Sequence, residues 1–477
     1  MMRSTFAGFT TATLALNASH RALEVTGQNI ANINTPGYTR QRLDIQSLYL
    51  RGGEFYNSHP NARIGFGVEI TGVSQLRDPF LDVQYRLQMS KLGTTDDQVA
   101  GYEKLANILD ETNDKGIKTA LSDLASQLQK LAQNPNSKEY DSMVRSSSQI
   151  LLNLFHQNAT DLQEVRTDLT NELRDTTVKD LNKILDNIAE LNESIKNSEI
   201  LGNPALELKD ERNELIDELA SYLPISTNYR QHDLGAGFTV EELDIYFTDT
   251  DGMRYKLISD NKVGEISVDV DVQPAELFIT DCYGAGPADI TNTVGDGVLK
   301  GTLDILNKSG GFDKPPSDVR GIGYYEKSLD SLVATLAETL NELNATKNAD
   351  GTVAQKRDLF KPIDDTKPMS AANIKIADDW ANGTYGITIS NVQVPNGKGE
   401  NDTGATADEN VLKMIRALSE ERQFSYRYTD AAGAPQKEDF YKGNFYNCFV
   451  NMENILNIDL KAGNNTLDNK ITVINQT

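Results

Sequence analysis

The sequence is poor in the residues that build metal centres and disulfide frameworks. Its 477 residues include two cysteines, four histidines and one tryptophan. Cys282 and Cys448 stand far apart and belong to no CxxC or Cys/His cluster, so we expect free or buried thiols. A long-range disulfide between them stays open as the alternative. The histidines are scattered, without HExxH spacing, and favour surface or structural roles: His20, His59, His156 and His232.

Long apolar runs and positive charge are also lacking. No segment approaches the roughly 18 apolar residues that a membrane-spanning helix needs. The segment from Phe6 to Leu16, followed by Ala18, imitates a secretory signal, but its threonines interrupt the apolar core, so we expect no cleavage. With 46 Lys and Arg against 70 Asp and Glu, the net charge is −24. Such a polyanion would be repelled by nucleic acid, which excludes that class of partner.

Catalytic motifs are missing as well. No GxSxG occurs, and the glycine pairs at 235–237 and 284–286 lack the Lys-Ser/Thr and the helix start of a phosphate-binding loop. Asp249 and Asp251 match only a fragment of a calcium loop, so a hairpin turn is the better interpretation. We therefore expect no catalytic residues, no metal and no cofactor.

What the sequence does contain is a helix with a seven-residue apolar repeat at its N-terminus. The large column consists of Phe9, Leu16, Leu23 and Ile30. A second column of mostly small residues lies three positions later: Ala12, Ser19, Thr26 and Ile33. This combination predicts a seam for close packing of another helix, hence subunit packing. The alternative is an ordinary helix in a bundle core.

A turn signal follows this helix directly. Thr35 precedes proline and is pushed toward extended geometry, Pro36 presets the first central position, and Gly37 supplies the positive φ of a type II turn. Asn29, Asn32 and Tyr38 flank this turn. Asparagine suits the end of a helix and the approach to a turn.

Residues 22–38 read ALEVTGQNIANINTPGY. This segment resembles the ALxVxxxNIANxxTPGY motif of the bacterial flagellar axial proteins, the family of rod, hook and hook-associated subunits. The resemblance extends through Thr39 to Arg42 and to the segments 65–70 and 76–81, which are similar to those of hook-associated members. Residues 205–219, ALELKDERNELIDEL, resemble an ALxLxDxRxxLxDEL helix of the same members. Alternatively, residues 205–219 form a charged amphipathic helix with only local ion pairs.

The resemblance implies a structural, non-enzymatic subunit at the junction between flagellar hook and filament. It implies three partners in the assembly: copies of the chain in a ring, the hook protein and a second junction protein, hook-associated protein 3. An export chaperone would bind the C-terminal helix of the family, which is expected to be missing here. The implied location is the extracellular flagellum, reached by type III export without a cleaved signal peptide.

Helical and alternating patterns divide the rest of the chain. Apolar heptads, such as Leu181, Ile188 and Ile195, predict a helical bundle or coiled-coil stalk. Alternation around residues 244–248 and 253–258, with the turn 249–252 between them, predicts a β-hairpin. The helix-sheet-helix order predicts an α+β multidomain fold, in which β-rich domains are inserted into a helical stalk.

We predict six segments. Residues 1–45 form the axial helix and turn, 46–224 a helical stalk with an extended stretch at 46–80, and 225–300 an inserted β-rich domain. Residues 301–350 return to the stalk, 351–404 form a small β-rich insert that contains Trp380, and 405–477 form the C-terminal stalk segment. Helical patterning is expected again at 410–422 and 440–456. No seven-residue repeat follows Leu456, so the second terminal helix of the axial family is expected to be absent and the N-terminal helix unpaired.

Two other functions are compatible with these patterns. One is another axial protein, hook or distal rod, although those generally lack the helix at 205–219. The other is a secreted cell-wall hydrolase with a helical stalk, which would need a cleft with facing carboxylates or a metal.

Overall fold

A computed structural model describes residues 5–35, 37–48, 67–109, 116–135, 137–235, 238–347, 352–389, 393–395, 401–403, 409–429 and 435–476. Pro36, His59 and the first two residues of the 65–70 segment lie outside these ranges. Within them, none of the helices combines the length and the apolar character that crossing a membrane requires.

The N-terminal part consists of one helix and one β-hairpin. Helix α1 is Thr5–Ala31, and strands β1 (Gln41–Ser47) and β2 (Val68–Gln75) pair antiparallel. The predicted boundary at residue 45 falls inside β1, and β2 lies within the stretch at 46–80 that was predicted to be extended. The β1 strand begins before that boundary, and its partner comes from residue 68 onward, a long-range pairing that local alternation does not reveal.

Five helices form the first part of the body: α2 (Pro79–Leu109), α3 (Ile117–Gln133), α4 (Lys138–Glu172), α5 (Val178–Ile200) and α6 (Leu206–Tyr222). A π-helical turn, Leu173–Thr177, joins α4 to α5 without a break. No proline or glycine occurs between Lys138 and Ile200, so nothing in the chain ends the helix.

Two small sheets follow. One has the order β3-β4-β5-β6, formed by Ile225–Gly235, Phe238–Thr248, Arg254–Ser259 and Lys262–Val263; the other has the order β7-β8-β9, formed by Glu265–Asp269, Glu276–Thr280 and Ala288–Asp289. The predicted hairpin at 244–258 is confirmed by the antiparallel β4-β5 pairing. Asp249 accepts the Met253 amide at 2.7 Å within its turn. The buried face of β4 joins the helical core through Leu243, Ile245 and Phe247.

The chain then returns to helix. Helix α7 is Val298–Asn307, a 3-10 turn spans Gly310–Phe312, and α8 is Ile322–Asn344, within the segment 301–350 where a return of the helical stalk is predicted. The next insert contains β10 (Thr346–Lys347), β11 (Val353–Gln355), β12 (Phe360–Lys361), β13 (Lys375–Ile376), helix α9 (Asp378–Ala381), β14 (Gln393–Pro395) and β15 (Asn401–Thr403). Trp380 is fully buried in this insert, with its ring edge-to-face on Phe360.

The C-terminal part differs from expectation in two ways. Helix α10 (Glu409–Ser419) was predicted, but the hairpin of β16 (Arg422–Thr429) and β17 (Pro435–Gly443) was not. Helix α11 runs over Phe445–Ile474, so it begins later than residue 440 and continues well past Leu456. It lies along α2, where the Lys470 ammonium bonds Thr95 and donates to the Lys91 carbonyl at 2.6 Å.

A buried carboxyl group joins the insert to α8. The Asp330 carboxylate accepts the Ala371 amide at 2.8 Å. Burial raises its pKa to about 6, against about 3.9 for an aspartate in an unfolded chain. Between about pH 4 and pH 6 the folded form therefore binds more protons than the unfolded form, and the free energy of unfolding falls as pH rises through that interval.

Asp330→Asn is expected to stabilise the insert at pH 8 by about 1–2 kcal/mol and to have little effect at pH 5. The amide keeps an oxygen for the Ala371 N–H and removes the buried charge. Urea unfolding followed by the fluorescence of Trp380, the only tryptophan, measures this directly. As a control, Asp364→Asn is expected to have the opposite sign, because hydrogen bonds from Thr366 lower the pKa of Asp364. Equal effects of Asp330→Asn at both pH values would contradict the argument.

Candidate assembly surface

The predicted packing columns of α1 lie on its exposed side. Phe9, Leu16, Leu23 and Ile30 are 66–73% exposed, and Ile33 is 76% exposed. All members of the small column are exposed too. The Ser19 and Thr26 hydroxyls donate to the carbonyls of Ala15 and Ala22 at 2.9 and 2.8 Å. Their polar groups are thus satisfied within the helix, which leaves a surface suited to close contact with another helix.

The opposite side of α1 packs on the β1-β2 hairpin, which sequence reasoning missed. Ala18 is buried, and Leu14 and Val25 are half-buried. A Cβ atom at Gly67 would lie 3.3 Å from the Leu14 side chain, so the hairpin approaches α1 closely at this point. Among the described elements, only β1 and β2 make substantial contacts with α1. Helix α1 therefore stands apart from the helical body.

Asn29 fixes the end of α1 to the start of β1. Its Oδ1 accepts the Gln41 amide at 2.8 Å and the Tyr38 hydroxyl at 3.0 Å, and its Nδ2 donates to the Gln41 carbonyl at 2.9 Å. An asparagine offers both a donor and an acceptor in one short side chain, which this two-way contact requires. Asn29 therefore links the end of α1 to the start of β1 by hydrogen bonds across the turn.

The described residues of the turn agree with the prediction. The Tyr38 amide donates to the Thr35 carbonyl at 3.3 Å, and Gly37 has a φ of +73°. A closing hydrogen bond of this kind and a positive φ at the third position are features of a type II turn. The Asn32 Oδ1 accepts the Thr35 hydroxyl at 3.2 Å, which links the turn to the helix end.

One side of α6 receives this turn and the hairpin. We define the docking stripe as four residues spaced by three or four positions: Leu206, Asp210, Glu214 and Asp217. Residues at these intervals lie on one face of a helix, one above the other. The stripe belongs to the segment 205–219, so the two motifs that the sequence singled out contact each other.

The turn occupies the middle of the docking stripe. The Thr39 amide donates to Asp210 Oδ2 at 3.1 Å. A Cβ atom at Gly37 would lie 2.9 Å from Glu214 Oε2, so a larger residue would displace the end of this side chain and would also be strained by the positive φ. Burial raises the pKa of the Asp210 carboxyl, and burial together with the charges of Asp210 and Glu207 raises the pKa of Tyr38. Tyr38 therefore remains a neutral hydrogen-bond donor.

The hairpin and α2 occupy the two ends of the stripe. The Gln75 side-chain amide donates to the Leu206 carbonyl at 2.9 Å. At the other end Asp217 accepts Arg77 at 3.3 Å and Arg86 at 2.6 Å. Arg86 is only 5% exposed, so this ion pair is shielded from solvent.

The remaining candidate groups stay separate. Cys282 and Cys448 are both free and buried, so the long-range disulfide is not formed. His156 bonds the Ile374 carbonyl at 2.8 Å, a structural role. In the part of the chain that the structure describes, no three His, Cys, Asp or Glu residues are grouped so that they could hold a metal ion.

Asn29→Ala is expected to loosen the turn without unfolding the body. Three hydrogen bonds are lost, and the Gln41 backbone groups lose their partner, which costs about 1–3 kcal/mol locally. Amide hydrogen exchange should show a roughly 10- to 100-fold loss of protection at Gln41, with α4 unchanged. Asn17→Ala, at an exposed position of the same helix, is the control. Unchanged protection at Gln41 would show that Asn29 does not hold the turn.

Comparison with known proteins places these features in a family. Residues 102–360 match the flagellar hook-associated protein FlgK helical domain. Residues 9–39, which contain most of α1 and the turn, match the flagella basal body rod protein family. A solved structure, the flagellar hook junction protein FlgK from Burkholderia pseudomallei, has the same fold with a TM-score of 0.56 at 12% identity, over 83% of this chain and 98% of that one.

Two curated relatives carry the same name. Flagellar hook-associated protein 1 of Bacillus subtilis (strain 168) is 30% identical over 426 residues, covering 86% of this chain and 81% of the relative. The Salmonella typhimurium LT2 protein of that name is 28% identical over 209 residues, 43% of this chain and 36% of its own length. Since the helical-domain match covers more than half of the sequence and the Bacillus protein matches across most of both chains, this chain belongs to the flagellar hook-associated protein 1 family.

Proposed function

We propose that the chain is a non-enzymatic structural subunit at the junction between the flagellar hook and filament. It would form a ring with copies of itself, bind the hook protein on one side and a second junction protein, hook-associated protein 3, on the other. The family membership supports a flagellar structural role. The Burkholderia relative is described as a hook junction protein, which supports the finer assignment.

The exposed apolar columns of α1 carry the proposal. Four large side chains at seven-residue intervals are 66–73% exposed. Burying such a side chain is worth roughly 1.5–3 kcal/mol each, so a second helix laid along this face would gain several kcal/mol. The contacts of the turn with α6 hold α1 away from the body, where helices of neighbouring copies and of the hook can reach it.

Export and chaperone binding complete the proposal. We expect the chain to leave the cell through the flagellar type III apparatus without cleavage, and an export chaperone to bind a C-terminal helix. The net charge of −24 would keep free copies apart before assembly. Contacts between copies must then overcome this repulsion in the ring.

Another axial role, in the hook or the distal rod, is the main alternative. The match to the rod family covers only α1 and the turn. The match to the hook-associated helical domain covers the body, including α6. The balance of these two matches favours the junction.

The test is complementation of a strain that lacks this gene. The wild-type gene should restore filaments, whereas Leu16→Asp with Leu23→Asp should leave hooks without filaments and filament protein in the medium. Two carboxylates in the large column would have to be buried without partners, which prevents helix packing. The variant subunit itself should also appear in the medium, which shows that export is intact.

Asn17→Asp with Gln28→Glu is the matched control. It adds the same charge to α1 at exposed polar positions outside the two columns, and filaments should grow normally. Normal filaments from the Leu16/Leu23 variant would refute the assembly role of the columns. Normal filaments in the deletion strain would refute the junction assignment as a whole.

A further inference from the structure

A row of alternating cations and tyrosine rings lies on the β3-β6 sheet and continues onto Tyr283, in the connection between β8 and β9. We call it the cationic ladder: Arg254, Tyr246, Lys256, Tyr283 and Lys262. The Arg254 guanidinium lies 3.7 Å from the Tyr246 ring centroid, and the Lys256 ammonium lies 5.2 Å from the same centroid. Lys256 and Lys262 lie 5.6 and 4.7 Å from the Tyr283 centroid. Each cation is thus held in place by a ring.

The ladder is exposed and incompletely neutralised. Tyr283 is 60% exposed, and Arg254 and Lys262 are exposed as well. Lys256 forms an ion pair with Asp244 at 3.4 Å, but within the described ranges Arg254 and Lys262 have no carboxylate partner. In a chain with 24 more acidic than basic groups, two unpaired cations fixed on one surface mark a site for an anionic partner.

The neighbouring β7-β9 sheet carries the opposite charge. We call its four acidic residues the acidic sheet: Glu265, Asp269, Glu276 and Asp289. Its strands contain no lysine or arginine. Asp269 pairs directly with Glu276 across β7 and β8, and like charges in this position repel each other. Asp269 accepts the Asp271 amide and Asp289 accepts the Thr291 amide and hydroxyl, but none of the four forms an ion pair within the described residues, so no cation offsets the repulsion there.

We propose that the cationic ladder of one copy binds the acidic sheet of the next copy around the ring. This inference rests on the proposed function, since it requires a ring of copies. The two surfaces belong to different sheets of one chain, so their contact is heterologous, the type of interface that closes into rings. It would offset part of the repulsion between copies of net charge −24, and it would fix their orientation, as complementary charges do.

Carbodiimide cross-linking of assembled flagella tests the contact, because it joins lysine ammonium groups to carboxylates that are already paired. Flagella from the complemented deletion strain should yield a dimer band in which Lys256 or Lys262 is joined to a residue of the acidic sheet.

Two charge reversals should each reduce this dimer at least tenfold. The ladder reversal is Arg254→Glu with Lys262→Glu, and the acidic-sheet reversal is Asp269→Lys with Glu276→Lys. Both reversals in one chain restore opposite charges and should restore the dimer. Its cross-link should then join a lysine introduced into the acidic sheet to a glutamate introduced into the ladder.

Lys130→Glu with Lys413→Glu, at exposed positions remote in sequence from the ladder, is the charge-matched control and should leave the dimer unchanged. The inference would be overturned if the wild-type protein supported filaments but gave no cross-link. It would also be overturned if the cross-link persisted both in the ladder reversal and in the acidic-sheet reversal. In either case the junction function would stand. Loss of filaments from the wild-type complement would instead contradict the proposed function. The protein could instead bind dextran sulfate through the ladder. If the ladder reversal abolished that binding and left the dimer unchanged, the ladder would be assigned to an anionic polysaccharide and the inference would be overturned.

Discussion

Arg212→Ala is expected to lower the free energy of unfolding by about 3 kcal/mol, since removing one partner of a buried ion pair leaves the other uncompensated. Arg212 is 1% exposed. Its guanidinium donates to Asn192 at 3.0 Å and to Glu241 at 2.5 Å, and it lies 5.4 Å from the ring centroid of Tyr229. The variant would also leave a cavity where α5, α6 and the β3-β6 sheet meet.

Arg174→Ala is the matched control for this prediction. Arg174 also pairs with a carboxylate, Asp175 at 2.9 Å, but both side chains are about half exposed. Because solvent screens a surface pair of this kind, its loss should have little or no measurable effect on the free energy of unfolding. Urea unfolding followed by circular dichroism should therefore separate the two variants clearly. Equal, small losses would show that the Arg212 contacts contribute no more than a surface pair.

Gly297→Ala is expected to be the second strongly destabilising change, by about 3 kcal/mol or more. Gly297 precedes α7 with a φ of +110°, and its amide donates to the Thr94 hydroxyl at 2.7 Å. A Cβ atom there would lie 2.5 Å from the Tyr222 carbonyl carbon and 2.7 Å from the Leu223 nitrogen. Backbone atoms cannot rotate away as a side chain can, so the end of α6 and the start of α7 would have to separate.

Gly252→Ala is the control that measures only the cost of placing an alanine at a positive φ. Gly252 has a φ of +85°, yet no heavy atom lies within 4 Å of its added Cβ. The control should therefore lose only the cost of a left-handed alanine, about 1–2 kcal/mol. The difference in the free energy of unfolding between the two variants measures the close approach of α6 and α7. No difference would mean that this approach relaxes without cost.

The features that the sequence predicted depend on local patterns. The seven-residue columns of α1, the turn at Gly37 and the hairpin at 244–258 can all be inferred from neighbouring residues. The docking of the turn on Asp210 could not, because the two residues involved are 171 positions apart. A charged helix at 205–219 suggests local ion pairs, whereas Arg212 in fact reaches the β3-β6 sheet. An acidic residue repeated at Asp210 and Asp217 was the available signal for the docking stripe.

The missed length of α11 has a different cause. Leu460, Leu467 and Ile474 do recur at seven-residue intervals, so the expectation that no such repeat follows Leu456 is wrong. Polar and small residues fill most positions between them, which weakens the apolar signal that periodicity arguments use. In the structure these three side chains are half-buried, and small and polar groups add to the contact with α2. A Cβ atom at Gly463 would lie 2.7 Å from the Val99 side chain, so the glycine lets α11 approach α2 closely. The Lys470 contacts with the Lys91 carbonyl and Thr95 continue the same interface.

Helix α6 connects the turn after α1 to the β3-β6 sheet. One side of α6 holds the turn that directs α1. Elsewhere on the helix, Arg212 donates to Glu241 and Asn213 accepts the Tyr229 hydroxyl, and both partners belong to the β3-β6 sheet. A helix is stiff over its length, here about 25 Å. A shift of this sheet would therefore move the turn and tilt α1 as well. In the proposed ring, a contact made by the β3-β6 sheet would thus be coupled to the contacts that α1 makes with other copies.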